Sequence, residues 1–330
     1  MQQKIMDAAN PAAVQQLPLQ VNAVCRTWGN LQALKDVSLT VRSGEIYGLV
    51  GPDGAGKTTL IRILVSLLRP DSGTVLVEGH DCQKDSQFVR SHIGYMPQRF
   101  SLYPDLTVQQ NLRFFGDLYA VPSEKQQERE DRLYEFSHLG DFKQRRAGQL
   151  SGGMKQKLAL SCVLMHAPRV ILLDEPTVGV DPVSRSELWD ILLELKEQGS
   201  ALLVSTPYME EAEQCDRVGL INQGEMLAED TPSALIDKLD LNILQLQTDT
   251  PWETWQQLQQ AGLDQQVQLF GDSIHITLAA DQQQEAMEKL LLTSGVSAGE
   301  LRPVQPGMED LFLSLLQQAK AVSGGEFDNE

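Results

Sequence analysis

The segment from Gly51 to Thr59, Gly-Pro-Asp-Gly-Ala-Gly-Lys-Thr-Thr, follows the apolar run Ile46 to Val50 and opens a second apolar stretch, Leu60 to Leu68. Strand, glycine loop and helix in that order form the G-x-x-x-x-G-K-[ST] arrangement that holds nucleotide phosphates. The geometry demands a buried strand, because only then do loop N–H groups and the helix dipole converge on one anion. Gly51, Asp53, Gly54, Ala55, Gly56 and Thr59 are the expected loop and lining residues. Lys57 is placed to neutralise the β and γ phosphates, and the Thr58 hydroxyl to ligate Mg²⁺. ATP and Mg²⁺ are the implied ligands.

A second acidic element lies about 115 residues on, counted along the chain. There the apolar strand Val170 to Leu173 ends in Asp174 and Glu175. A carboxylate at the end of a buried strand is tolerable when it faces a cation, so Asp174 is the expected metal partner. Glu175 is then placed to take a proton from an attacking water. Between the two elements, Ser151, Gly152 and Gly153 precede another helical run. They form a second helix N-terminus shaped for an anion, or a plain serine cap.

The remaining sequence sets the organisation. At 330 residues the chain is long for a single core, and two domains are expected. Strand-like alternation covers Leu17 to Val77, and a charged helical pattern covers Pro104 to Ser151. Helices then alternate with apolar strands to Val204, which predicts a mostly parallel, covered sheet and an α/β fold. Beyond Asp237 to Leu241 the composition turns Gln-rich. A strand from Ile243, a helix from Trp252, strands at Gln266 to Phe270 and Ser273 to Leu278, a helix Gln282 to Leu292 and a strand near Leu301 give the β-α-β-β-α-β order of a ferredoxin-like unit. A last helix carries Met308, Leu311, Phe312 and Leu315 on one face. Residues 1–16 read as a loose leader and 321–330 as a disordered tail.

Acids outnumber bases 45 to 27, for a formal charge of −18, and no basic run is interleaved with aromatics. Such a field repels nucleic acid. The four cysteines are scattered and the five histidines do not cluster with them, which argues against a disulfide framework or a zinc site. The start lacks the order of a signal peptide, and no apolar run is long enough to cross a bilayer. A soluble, cytoplasmic chain is the expectation.

Taken together these motifs resemble the nucleotide-binding subunits of ABC transporters, over roughly residues 17 to 235. The resemblance implies a P-loop NTPase of ABC type at 17–238, with a β-rich subdomain and a helical insertion at about 99–165, followed by a small α+β accessory domain at 239–320. It makes Gly51 to Thr59 the Walker A loop, Ile171 to Glu175 the Walker B strand with its catalytic glutamate, and Leu150 to Gln156 the signature. Gln98 matches the Q-loop glutamine that senses the metal and the attacking water. Asp181 matches the D-loop, and Trp28 falls where an aromatic stacks on adenine. Family members close as head-to-tail dimers, so that Ser151, Gly152 and Gly153 of one subunit cover the ATP held by the other. They sit at the inner face of the membrane on an integral permease. Two departures stand out. Pro207 occupies the place of a histidine that hydrogen-bonds the γ-phosphate, which implies slow turnover at this chain's own Walker A site. Asp53 replaces a usual Asn and is expected to face solvent or a neighbouring N–H. The stretch Gly307 to Phe312 is similar to the last helix of ABC-2-type exporter subunits. The implied function is ATP hydrolysis powering an exporter. The alternatives are a non-hydrolysing regulatory subunit and a soluble ABC ATPase outside transport.

Overall fold

The computed structural model describes residues 17–99, 102–238, 242–263, 267–278, 287, 291 and 301–323. The leader at 1–16 lies outside them. The chain divides into two compact units, residues 1–229 and 230–330.

In the first unit, β1 (Leu19–Trp28) and β2 (Leu31–Val41) form an antiparallel hairpin. With β4 (Ser72–Val77) and β5 (His80–Asp81) they make a four-stranded sheet in the order β2-β1-β4-β5. The second sheet holds β3 (Glu45–Val50), β6 (Ile93–Met96), β7 (Val170–Asp174), β8 (Ala201–Thr206), β9 (Arg217–Asn222) and β10 (Glu225–Asp230), in the order β10-β9-β3-β8-β7-β6. From β9 to β6 the pairings are parallel. Every residue of β3, β7 and β8 is buried, as continuous apolar runs in a covered parallel sheet require.

Helix α1 (Lys57–Leu64) lies between the two sheets, touching β2 and β4 on one side and β7 on the other. Its Leu60, Ile61, Ile63 and Leu64 are fully buried. Each such side chain contributes about 1.5–3 kcal/mol, which anchors the helix that carries the glycine loop. The helix ends at Leu64, earlier than the apolar run to Leu68 implied. Ser66 turns into the left-handed region (φ 58°), and the N–H groups of Leu67 and Leu68 return to the Arg62 carbonyl.

Helix α2 (Ser86–His92) precedes β6. The helical insertion comprises α3 (Val108–Leu118), α4 (Ser123–Ser137) and α5 (Gly152–Leu164). A capping box between Thr107 and Gln110 starts α3. Helix α6 (Pro182–Glu197) then leads into β8, with Pro182 at its first position.

The second unit holds α7 (Pro232–Asp237), β11 (Asn242–Gln247), α8 (Pro251–Leu258), β12 (Val267–Phe270), β13 (Ser273–Leu278), β14 (Leu301–Val304) and α9 (Met308–Ser323). Its sheet is antiparallel in the order β12-β13-β11-β14, with Pro303 on the edge strand opposite Leu244. Leu244, Leu246, Leu258, Ile274 and Ile276 form its core. The unit begins nine residues before the boundary read from sequence, because α7 packs on α9. Helix α9 runs to Ser323, three residues into the stretch read as a tail. Most of Gln282 to Leu292 lies outside the described residues; Met287 and Leu291 are helical and buried.

Candidate nucleotide site

The site sits at the carboxyl ends of β3, β7 and β8, where parallel α/β sheets open a crevice. Two glycines are dictated by space. A Cβ on Gly51 would lie 2.1 Å from the Ile221 carbonyl oxygen, and one on Gly56 would lie 2.6 Å from that of Ala33. Gly56 also adopts φ 110°, a conformation L side chains rarely take, as it leads into α1.

Lys57 is buried and folds back over the loop. Its Nζ donates to the carbonyls of Gly51 (2.7 Å) and Pro52 (3.1 Å) and lies 3.1 Å from Glu175 Oε1. The other Glu175 oxygen accepts from Gln98 Nε2 at 2.7 Å. The Glu175 backbone is itself left-handed (φ 53°), and its N–H donates to Ser205 Oγ at 3.1 Å. Two residues distant in sequence therefore meet on one carboxylate, while a third holds its backbone.

Asp174 is fully buried. Its Oδ1 accepts from Thr58 Oγ1 (3.0 Å) and Ser205 Oγ (2.9 Å), whereas its buried Oδ2 has no hydrogen-bond partner among the described residues. Burial raises its pKa above the usual carboxylate range, against the lowering effect of the Ser205 and Thr58 hydrogen bonds. An orphan carboxylate oxygen beside a threonine hydroxyl is a hard-oxygen pair that suits a divalent cation. No cluster of three or more His, Cys, Asp or Glu side chains exists among the described residues. The Asp174 and Thr58 pair fits Mg²⁺, which takes one or two carboxylates and completes its shell with water and phosphate.

A cleft of about 650 Å³ runs from this floor along Gly54 to Thr59 and up to Trp28, with Asn30, Lys35 and Gln223 also on its walls. Trp28 is 48% exposed, and the Arg26 guanidinium lies 4.5 Å from its ring centroid. Asp71 braces this arrangement by accepting from Arg26 Nη1 (2.6 Å) and from the Thr27 N–H (2.7 Å). Asp53 is exposed.

The remaining residues singled out from sequence do not line this cleft. Ser151 caps α5 by accepting from the Met154 N–H at 3.3 Å. Asp181 caps α6 by accepting from the Ser184 N–H at 2.9 Å, a bond that lowers its pKa. These two caps are neighbours, since a Cβ on Gly153 would lie 2.2 Å from Ser184 Oγ. Gln98 also borders a separate groove of about 400 Å³, with Arg99, Leu102, Gly152, Lys155 and Gln156. Tyr103 is exposed and stacks edge-on against Phe114; Phe100 lies outside the described residues. Pro207 directly follows β8, whose Thr206 pairs with Val50 and accepts from the Gly51 N–H at 3.2 Å.

Sequence reasoning missed Ser205, Arg26, Asp71 and Gln223. Ser205 had a usable signal, a small hydroxyl at the end of a strand that registers with Asp174. Arg26 and Asp71 are brought together by the pairing of β1 with β4, and Gln223 lies in the turn between β9 and β10, which no local pattern announces.

Residues 34–178 match the ABC transporter family. A Nod factor export ATP-binding protein I of Rhizobium sp. (strain N33) is 33% identical over 299 residues, 90% of this chain and 96% of its own length. The chain belongs to the ABC transporter ATP-binding proteins. The probable multidrug ABC transporter ATP-binding protein YbhF of Escherichia coli (strain K12) is 42% identical over 290 residues, 86% of this chain. The chain spans about half (49%) of that relative's length. Among solved structures, the bacterial ABC transporter cassette MJ0796, determined as a dimer, matches with a TM-score of 0.59 and 27% identity over 64% of this chain and 98% of its own. The fold of this chain is accordingly an ABC-type P-loop cassette.

Proposed function

We propose that this chain is the ATP-hydrolysing subunit of an ABC exporter and acts on a separate integral membrane permease of ABC-2 type. The unpartnered, buried Asp174 Oδ2 beside Thr58, at the foot of a glycine loop, carries the nucleotide half of this reading. Mg²⁺ held by Thr58 and Asp174 would supply charge neutralisation on the phosphates. Lys57 binds the β and γ phosphates, and Trp28 stacks on the base. Glu175 Oε1, released from Lys57, accepts the proton of the attacking water, while the Gln98 amide holds Oε2 and orients the carboxylate. Phosphoryl transfer needs little covalent help, so this positioning supplies most of the rate.

A second nucleotide-binding subunit completes the site. Ser151, Gly152 and Gly153 lie away from the chain's own cleft, and the MJ0796 cassette was solved as a dimer. Head-to-tail pairing would bring a partner's equivalents over the bound nucleotide. The groove beside Gln98 is where the permease docks, at the membrane's inner face; no described helix is long and apolar enough to cross a bilayer. A multidrug or Nod-factor-like cargo is in keeping with the names of the relatives, YbhF and the Nod factor export protein.

One observation favours slow turnover at this chain's own site. Pro207 emerges beside the glycine-loop strand where a side-chain donor would meet the γ-phosphate, and proline has none. Loss of one transition-state donor costs about 10²–10³ in rate. The test is magnesium-dependent ATP binding and turnover by the purified chain, alone and with its co-expressed permease. Absence of nucleotide binding sinks the proposal; turnover that the permease leaves unchanged, without membrane co-fractionation, sinks the transport half.

A further inference from the structure

One cleft of the first unit has no part in nucleotide chemistry. It measures about 750 Å³ and lies at the amino ends of β7 and β8, opposite the glycine loop. Ligands of parallel α/β sheets ordinarily bind at the carboxyl ends, so the cleft is separate from the ATP site. One wall is the α4 face that carries Arg129, Arg132 and Phe136, and the other includes Arg169 before β7 and Leu195 near the end of α6.

Its charge is inverted relative to the rest of the molecule. Acids outnumber bases 45 to 27 overall, yet the cleft is lined by three arginines and one acid, Glu78. The partners of these arginines are uncharged. Arg129 Nη1 donates to the Met165 carbonyl at 2.6 Å, and Arg132 Nη2 to Gln198 Oε1 at 2.8 Å. Among the described residues no carboxylate lies within ion-pair distance of Arg129, Arg132 or Arg169. Each keeps N–H groups available in the fork geometry that suits carboxylate and phosphate. The rest of the lining is largely apolar, with Leu133, Phe136 and Leu195 prominent. Mostly apolar walls, a few convergent charged groups and this volume are the features of small-molecule sites.

We infer that this cleft binds one amphipathic organic anion, with an apolar body against Leu133, Phe136 and Leu195 and an acidic head between Arg129 and Arg169. Such a ligand would bridge the helical insertion and the amino ends of β7 and β8. The inference stands apart from the proposed transport function.

The test is calorimetric titration of the full-length protein with octanoate, 1-octanol and inorganic phosphate. Octanoate is expected to saturate at one per chain, with octanol and phosphate at least about tenfold weaker, the loss of a charge-assisted hydrogen bond. The double variant Arg129→Gln/Arg169→Gln is expected to weaken octanoate by about tenfold or more while leaving MgATP binding unchanged. Gln198→Trp, at the exposed rim, fills the mouth of the cleft, lowers octanoate affinity to the same extent, and decides the matter if the double variant does not fold. Octanol or phosphate binding as tightly as octanoate would overturn the inference, as would octanoate binding unaltered by these substitutions.

Discussion

Lys57 Nζ lies 3.1 Å from Glu175 Oε1, and both side chains are almost wholly withdrawn from solvent. Gln98 holds the other Glu175 oxygen at 2.7 Å, so the carboxylate is fully engaged. Phosphates that draw Lys57 away would free Oε1. Glu175→Gln is expected to lower ATP turnover by about 10²–10⁴, the usual worth of a general base, with ATP affinity within a few-fold of the parent. Paired turnover and binding measurements check this, and residual turnover near the parent rate would remove Glu175 from the role.

Pro207→His restores a donor at the end of β8. Turnover is expected to rise on the order of tenfold or more, and the gain to vanish when Glu175→Gln is added. A rate unmoved by Pro207→His would show that the missing donor does not limit this site.

Asp174 couples the metal site to stability. Burial raises its pKa, so the folded state favours the protonated acid; the associated stability is complete below the ordinary aspartate range and is lost as pH rises through the raised value. At neutral pH with a chelator, the ionised group is a net cost. Asp174→Asn is expected to raise the melting temperature under those conditions, by about 2–4 °C per kcal/mol recovered, and to abolish stabilisation by MgATP. Calorimetric melting with and without Mg²⁺ tests both arms; a lower melting temperature in chelator would contradict the desolvation argument.

Trp28 is held from behind by Arg26, which Asp71 fixes in turn. Trp28→Ala is expected to weaken ATP binding by roughly tenfold, in line with about 1–3 kcal/mol per stacked base, whereas Trp28→Phe keeps most of the affinity. Asp71→Asn acts through the brace and should give a smaller loss. Equal affinity of all three variants for ATP would assign the base to another wall of the cleft.

Burial depresses the His166 pKa to about 4, while Nε2 stays 3.1 Å from the Ile93 carbonyl oxygen and the ring stacks on Tyr119. A depressed folded pKa means that stability is present above the ordinary histidine value and is lost as pH falls from about 6.5 toward 4. Denaturant titrations across that window should show the loss, with a shallower slope in His166→Gln. An unchanged slope would place the acid sensitivity elsewhere.

The buried strands and the phosphate loop were legible because their constraints are local: continuous apolar runs, glycines where a Cβ collides, acids at a strand end. The expected signature and D-loop residues rest on resemblance to a family rather than on local physics; in the structure Gly153 and Ser184 are neighbours. The β9–β10 segment went unread because its short strands follow the Walker B region without a strong alternating pattern. Ser205, Arg26 and Asp71 depend on register between segments up to 45 residues apart, as with the Arg26–Asp71 pair, and no window of sequence contains both partners. The end of α1 was misjudged for a different reason, since Leu67 and Leu68 continue the apolar run after the backbone has turned at Ser66.

Among the described residues the edge strand β14 pairs with β11 alone, and it carries Pro303 in its short span. A residue without an N–H interrupts the row of donors that an incoming strand would need. The accessory sheet is thereby protected from lengthening by strand addition along that border, and any protein that grips the second unit there must do so through side chains rather than through backbone pairing.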